Sequence, residues 1–164
     1  MTTLIRSIAV GAALFAAGAV MLGRAKAGSD EYFPPVSDPL TRQECGSCHM
    51  AFPAGLLPAR SWQKMMGELD NHFGEDASVD AATAKQITAY LVAHAADSTG
   101  YRDMRRWLRG VSAAAAPQRI TELPKWVREH REVSPGDWTR KEVASKANCV
   151  ACHVDAERGY FEDD

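Results

Sequence analysis

Cys-x-x-Cys-His occurs twice in the 164-residue chain, as Cys45-Gly46-Ser47-Cys48-His49 and as Cys149-Val150-Ala151-Cys152-His153, and the two pentapeptides use all four cysteines. In a helical turn, cysteines three positions apart lie on one face, so both sulfurs can bond to the vinyl groups of a haem while the next residue, histidine, coordinates its iron. The motifs therefore predict two covalently attached haem c groups. Four cysteines could instead make a zinc site, two disulfides or a dithiol couple, but none of these needs a histidine directly after each pair. A zinc ribbon also spaces its two pairs about 15 to 20 residues apart, whereas 100 residues separate Cys48 from Cys149.

His49 and His153 are thereby expected on one side of each iron, and the other side must come from His72, His94, His130 or a methionine. That choice sets the potential, because a thioether raises it and a second imidazole lowers it. Met65 and Met66 fall on an apolar helical face and Met104 sits among arginines, where packing is the simpler role. Met50 adjoins its own proximal ligand and cannot reach across. Imidazole is therefore expected on both irons. His72, at the turn after a helix, suits haem 1. His130 suits haem 2, with 18 residues between it and Cys149 and with Trp126 one helical turn earlier to stack on the porphyrin. His94 is expected on the apolar stripe of its helix, where a core role is simpler than ligation, and it stays a third candidate.

The N-terminus gives the compartment. After Arg6, the run Ile8 to Leu22 is 15 residues without a charge, followed by Ala25-Lys26-Ala27, a small-x-small cleavage pattern. A membrane-spanning helix needs about 20 apolar residues, so residues 1–27 read as a secretory signal and not as an anchor. An exported, periplasmic protein without stable membrane insertion is expected, in the compartment where bacterial haem is attached covalently. Cleavage after Ala27 would leave 137 residues and take the formal charge from −2 to −5. An acidic chain is a poor ligand for nucleic acid, and one this short leaves little room for a separate substrate-binding domain.

The intervening sequence supplies the elements that must position these residues. Pro34, Pro35 and Pro39 mark an irregular lead-in, and prolines with Gly55 forbid a long helix between Met50 and Ala59. A helix is expected from Ser61 as N-cap, with Trp62, Met65, Met66 and Leu69 on its buried face, running out near Gly74. A second is expected from Asp80 to about Ala96, with Ala84, Ile87, Leu91 and His94 as its stripe. Arg102, Arg105, Arg106 and Arg109 make a basic cluster, expected either to pair with Asp97, Asp103 or haem propionates, or to dock a partner. A third helix is expected from Leu123-Pro124, ending at Pro135-Gly136, and a last from Thr139 into the second motif. The fold class is all-α, short helices and loops packed around two haems. The organisation expected is a signal at 1–27, an N-terminal haem domain at 28–98 and a C-terminal haem domain at 99–164.

The segment Cys45 to Ala77, with Leu57-Pro58, Ser61-Trp62, Met65 and His72-Phe73-Gly74-Glu75-Asp76-Ala77, resembles the dihaem cytochrome c family of exported bacterial proteins. Arg119-Ile120-Thr121, Pro124-x-Trp126, His130 and the run from Ser145 through Cys152-His153-x-Asp155-Ala156 to Phe161 are similar to that family's second half. The resemblance implies bis-histidine haems with His72 and His130 on the family's histidine positions. His94 and Arg102 to Arg109 lie outside it. It also implies redox proteins as partners, such as a small oxygen-binding monohaem cytochrome or a membrane-bound cytochrome of the b type. The function expected is electron transfer without transformation of a substrate. The alternative is a small haem enzyme, a reductase or peroxidase with one open iron position, against which stands the lack of an acid-base cluster beside either motif. A gas or redox sensor would need an output domain.

Overall fold

The computed structural model describes residues 32–98, 100 and 102–161; the expected signal at 1–27 lies outside them. Among the described residues there are six short helices: α1 (Pro39–Cys45), α2 (Ala59–Met66), α3 (Ala81–Ala93), α4 (Arg102–Trp107), α5 (Pro124–Glu129) and α6 (Pro135–Trp138). Single turns of 3-10 helix lie between them, and among the described residues there is no strand, only isolated bridges. No described helix is long and apolar enough to cross a membrane.

α2 and α3 form the main helical pair, with Trp62 on one and Ile87 and Leu91 on the other buried between them. The helix expected from an N-cap at Ser61 starts three residues earlier, because its cap comes from elsewhere in the chain. The Asp97 carboxylate accepts the Ala59 N–H at 2.8 Å and pairs with Arg60 at 3.1 Å, occupying the end that Ser61 was expected to cap. Ser61 is instead buried inside the helix, and its hydroxyl has no protein partner. α2 stops at Met66, and Leu69–Asn71 forms a separate 3-10 turn before the loop that carries His72. At α3 the expectation holds, with the Asp80 carboxylate accepting from Ala82 and Thr83.

One apolar cluster joins the segments 28–98 and 99–164, since Phe33, Leu56, Trp62 and Leu91 pack with Met104, Trp107, Leu123 and Trp126. The Trp107 indole N–H donates to the Leu56 carbonyl at 3.0 Å, and the Trp62 indole to that of Ala54 at 2.8 Å, so neither buried ring leaves its polar atom unpaired. Arg60 reaches the Ser112 carbonyl at 3.0 Å and also that of Ala115, holding the connector after α4. The lead-in and the C-terminal tail close on each other: the Phe33 N–H donates to the Gly159 carbonyl at 2.9 Å, and Tyr32 bridges to Tyr160. Gly159 sits at φ 90°, and a Cβ there would strike the Phe33 carbonyl, so this closure depends on glycine.

The C-terminal third departs most from the helices expected. Pro135-Gly136 opens α6 instead of ending a helix, because Ser134 and Asp137 form a reciprocal capping box around it. No helix runs from Thr139 into the second motif. Ala144 adopts a left-handed φ of 58°, and the Asn148 amide bonds the carbonyls of Glu142 and Val143, both of which compete with helical pairing.

Candidate functional site

The first motif straddles the end of α1. Cys45 is its last helical residue, Gly46 to Cys48 turn away from it, and His49 follows on an irregular strand of chain. The second motif is a 3-10 turn, Cys149–Ala151, leading to His153. In both, the first cysteine is partly buried and the second exposed. Burial pushes the Cys149 thiol up to about 11 and moves Cys45 in the same direction. Desolvation is the main cause at both sites; an uncharged thioether in either position would carry no such penalty.

Each motif histidine faces a histidine from elsewhere in the chain. The ring centroids of His49 and His72 are 6.2 Å apart with planes 25° from parallel. Those of His130 and His153 are 5.9 Å apart with planes at 80°. Two imidazoles bound to one metal at about 2 Å each put their centroids about 6 Å apart, so both pairs fit an axially bound haem iron. His94 makes no such pair among the described contacts. Helix α3 ends one residue before it, so the residue leaves the apolar stripe on which it was expected and lies exposed, its ring 4.3 Å from Tyr90.

Different local devices hold the four rings. His72 begins a tight two-residue turn in which its N–H and carbonyl both pair with Glu75, at 2.7 and 3.2 Å. Closing that turn requires positive φ at both central residues, 56° at Phe73 and 105° at Gly74. The Arg119 guanidinium covers the Phe73 ring, 4.0 Å from its centroid. The Gln118 amide donates to Glu68 at 3.0 Å. These two residues close a cleft of about 350 Å³ lined also by Met65, Asn71 and His72. Burial, and then the charges of His49 and Arg119, hold the His72 imidazole below the ordinary histidine value.

His49 and His130 each direct Nδ1 to a backbone carbonyl, that of Met50 at 2.7 Å and that of Trp126 at 2.9 Å, which leaves Nε2 for a metal. His94 makes the same kind of contact, with Tyr90 at 2.8 Å, so the contact alone does not mark a ligand. Trp126 stacks on His130, with centroids 4.1 Å apart and planes 14° from parallel. Lys146 lies over Trp126 and Trp138, 5.9 and 5.7 Å from their centroids. His153 is met by Phe161 at 5.8 Å, and Phe161 by Phe33 at 5.8 Å. Met65 and Met66 pack against the core, and Met104 is buried within it. Asp97, expected to pair with the arginines of 102–109, is taken by Arg60. Sequence reasoning gave Arg119 no role beyond its place in the family resemblance and did not single out Gln118; their partners lie about fifty residues away, a reach that no local pattern signals.

A model of the family described as Dihaem cytochrome c matches residues 41–161. Among solved structures, the chain is similar to a diheme cytochrome c from Rhodobacter sphaeroides at 55% identity, covering 78% of this chain and 99% of that one with a TM-score of 0.71. It is also similar to a diheme cytochrome c from Shewanella baltica at 38% identity, covering 76% of this chain and 86% of the other with a TM-score of 0.61. Comparison with proteins of curated function returns no match.

Proposed function

Because this chain belongs to the dihaem cytochrome c family, with two covalently bound haem c groups, we propose that it is a periplasmic electron carrier whose irons are closed on both sides by imidazole. The proposal assigns thioether attachment to Cys45 and Cys48 and to Cys149 and Cys152. It assigns axial ligation to His49 with His72 and to His130 with His153. The observation that supports it is the facing of two imidazole pairs at 6.2 and 5.9 Å, a spacing that would close each iron on both sides and leave no open position for a substrate. A haem supplies a one-electron couple at fixed geometry. The protein supplies the ligand type, the orientation of the rings and their partial seclusion from water. The partners proposed are other redox proteins, with a small monohaem cytochrome or a membrane-bound b-type cytochrome as the kinds the family resemblance brings forward. Export rests on the apolar run Ile8 to Leu22 and the Ala25-Lys26-Ala27 pattern.

Carbon monoxide tests this directly. Added to the ferrous, haem-loaded protein, it should cause little rapid spectral change. Fast stoichiometric binding at one haem would overturn the closed-site reading in favour of a small reductase or peroxidase.

A further inference from the structure

The two imidazole pairs differ in one respect that the proposed function does not use. Those of His49 and His72 lie 25° from parallel, and those of His130 and His153 are crossed at 80°. We propose that Trp126 is a positioning residue that turns the His130 ring across that of His153, so that the second haem holds crossed axial imidazoles and the first holds near-parallel ones. The inference deepens the ligation proposed above and rests on it.

His130 has little freedom. It follows the last residue of α5, and its backbone N–H and its Nδ1 both meet the Trp126 carbonyl, at 3.0 and 2.9 Å. These two contacts fix where the ring attaches and which edge points back at the helix. The remaining rotation is set by the Trp126 indole, parallel to the imidazole within 14° at 4.1 Å. Trp126 is itself buried in the shared core, so it is the fixed member of the stack. Trp138 touches His130 at 6.0 Å and 40°, a contact too tilted to fix a plane. On the opposite side, His153 meets the Phe161 ring of the tail. In the first pair, His49 stacks on Phe52 at 4.9 Å and 27°, and among the described residues no indole contacts His72, whose ring meets Phe73 at 4.8 Å.

The angle is readable by electron paramagnetic resonance. In a low-spin ferric haem with two imidazoles, parallel ring planes separate the energies of the two iron orbitals of π symmetry and give a rhombic spectrum. Crossed planes leave them nearly equal and give a single, strongly anisotropic low-field line. The ferric holoprotein should therefore show one signal of each kind in equal amount. Trp126→Leu should replace the low-field line by a rhombic signal and move only the second haem's potential. Trp126→Phe should move the line part of the way, and Trp138→Leu should leave it in place.

Two rhombic signals from the wild-type protein would overturn the crossed geometry while leaving bis-imidazole ligation intact. A high-spin haem, or the far-red band of methionine sulfur on iron, would instead overturn the ligand assignment. If Trp126→Leu fails to load its second haem, Trp126→Phe decides, since a line unmoved in that variant removes the positioning role from Trp126.

Discussion

Replacing Arg119 by Gln should lower the potential of the first haem and leave that of the second unchanged. The guanidinium carbon is 4.0 Å from the Phe73 centroid, and the Phe73 centroid is 4.8 Å from that of His72, which puts the charge within about 9 Å of the imidazole. At that distance, two unit charges interact by about 0.5 kcal/mol at the dielectric of water and about 2 kcal/mol at an effective value of 20. Half the Arg119 side chain is exposed, and Glu122 lies 3.6 Å away, so the lower figure applies. For a one-electron couple it corresponds to about 20 mV. The sign follows from charge: a cation disfavours the ferric state, so its removal favours oxidation and the potential falls. Potentiometric titration with the two haems resolved is the assay. The shift should shrink as added salt shortens the screening length below about 8 Å, and Arg119→Lys should hold the wild-type value. Equal shifts at both haems, or a Lys variant that falls as far as the Gln variant, would refute the electrostatic reasoning and leave Arg119 a packing residue.

Asp97→Ala removes both the cap of α2 and the partner of Arg60, and should lower stability by about 1 to 2 kcal/mol in thermal unfolding, with Asp97→Asn recovering part through the cap alone. Asp38, Asp80 and Asp137 are held below the ordinary carboxylate value of 3.8 by hydrogen bonds from Thr41, Thr83 and Ser134. A depressed folded-state value means their stabilisation is complete above the unfolded value and is lost as pH falls through the folded one. Circular dichroism should therefore show α1, α3 and α6 weakening below about pH 4, and less so in variants with Asn at these positions. His94→Ala should leave both haems six-coordinate and low-spin in optical spectra, because its exposed ring faces no second histidine. His72→Ala should open only the first haem and His130→Ala only the second.

What could be read from the sequence was what is local or covalent. The Cys-x-x-Cys-His spacing named the cofactor before any fold was known, and the Asp80 cap and the Ile87–Leu91 stripe of α3 lie where periodicity put them. His72 was legible as a turn residue because Gly74 two positions later can take positive φ, which is the conformation found. The errors share a cause. Ser61 lost its capping role to Asp97, which is remote in sequence, and Thr139 onward lost its helix to side chains that bond their own backbone. His94 kept the right spacing but fell one residue beyond the helix end, and helix ends are set by caps that periodicity does not see.

The positions of His72 and His130, the rings proposed above as distal ligands, show why tertiary closure had to be added to the motif. A proximal ligand is carried by the same pentapeptide as its thioethers, whereas a distal ligand must be brought to it: the turn of His72 is covered by residues from the other half of the chain, while His130 is held within its own half by Trp126. Arg119 and Gln118, in the segment 99–164, cover the turn that presents His72. Phe33, in the lead-in before α1, packs on Phe161 beside His153. Eleven residues after Arg119 comes His130, with the fully buried Leu123 anchoring the short helix between them. The segment from Arg119 to His130 thus covers the turn that presents His72 at its start and supplies a ring to the other pair at its end. With Trp107 and Leu56 joined through a buried hydrogen bond, the halves share their core as well as their sites. The turn that presents His72 thus owes its setting to the other half of the chain, and the spacing that identifies the haems in the sequence carries no information about that exchange.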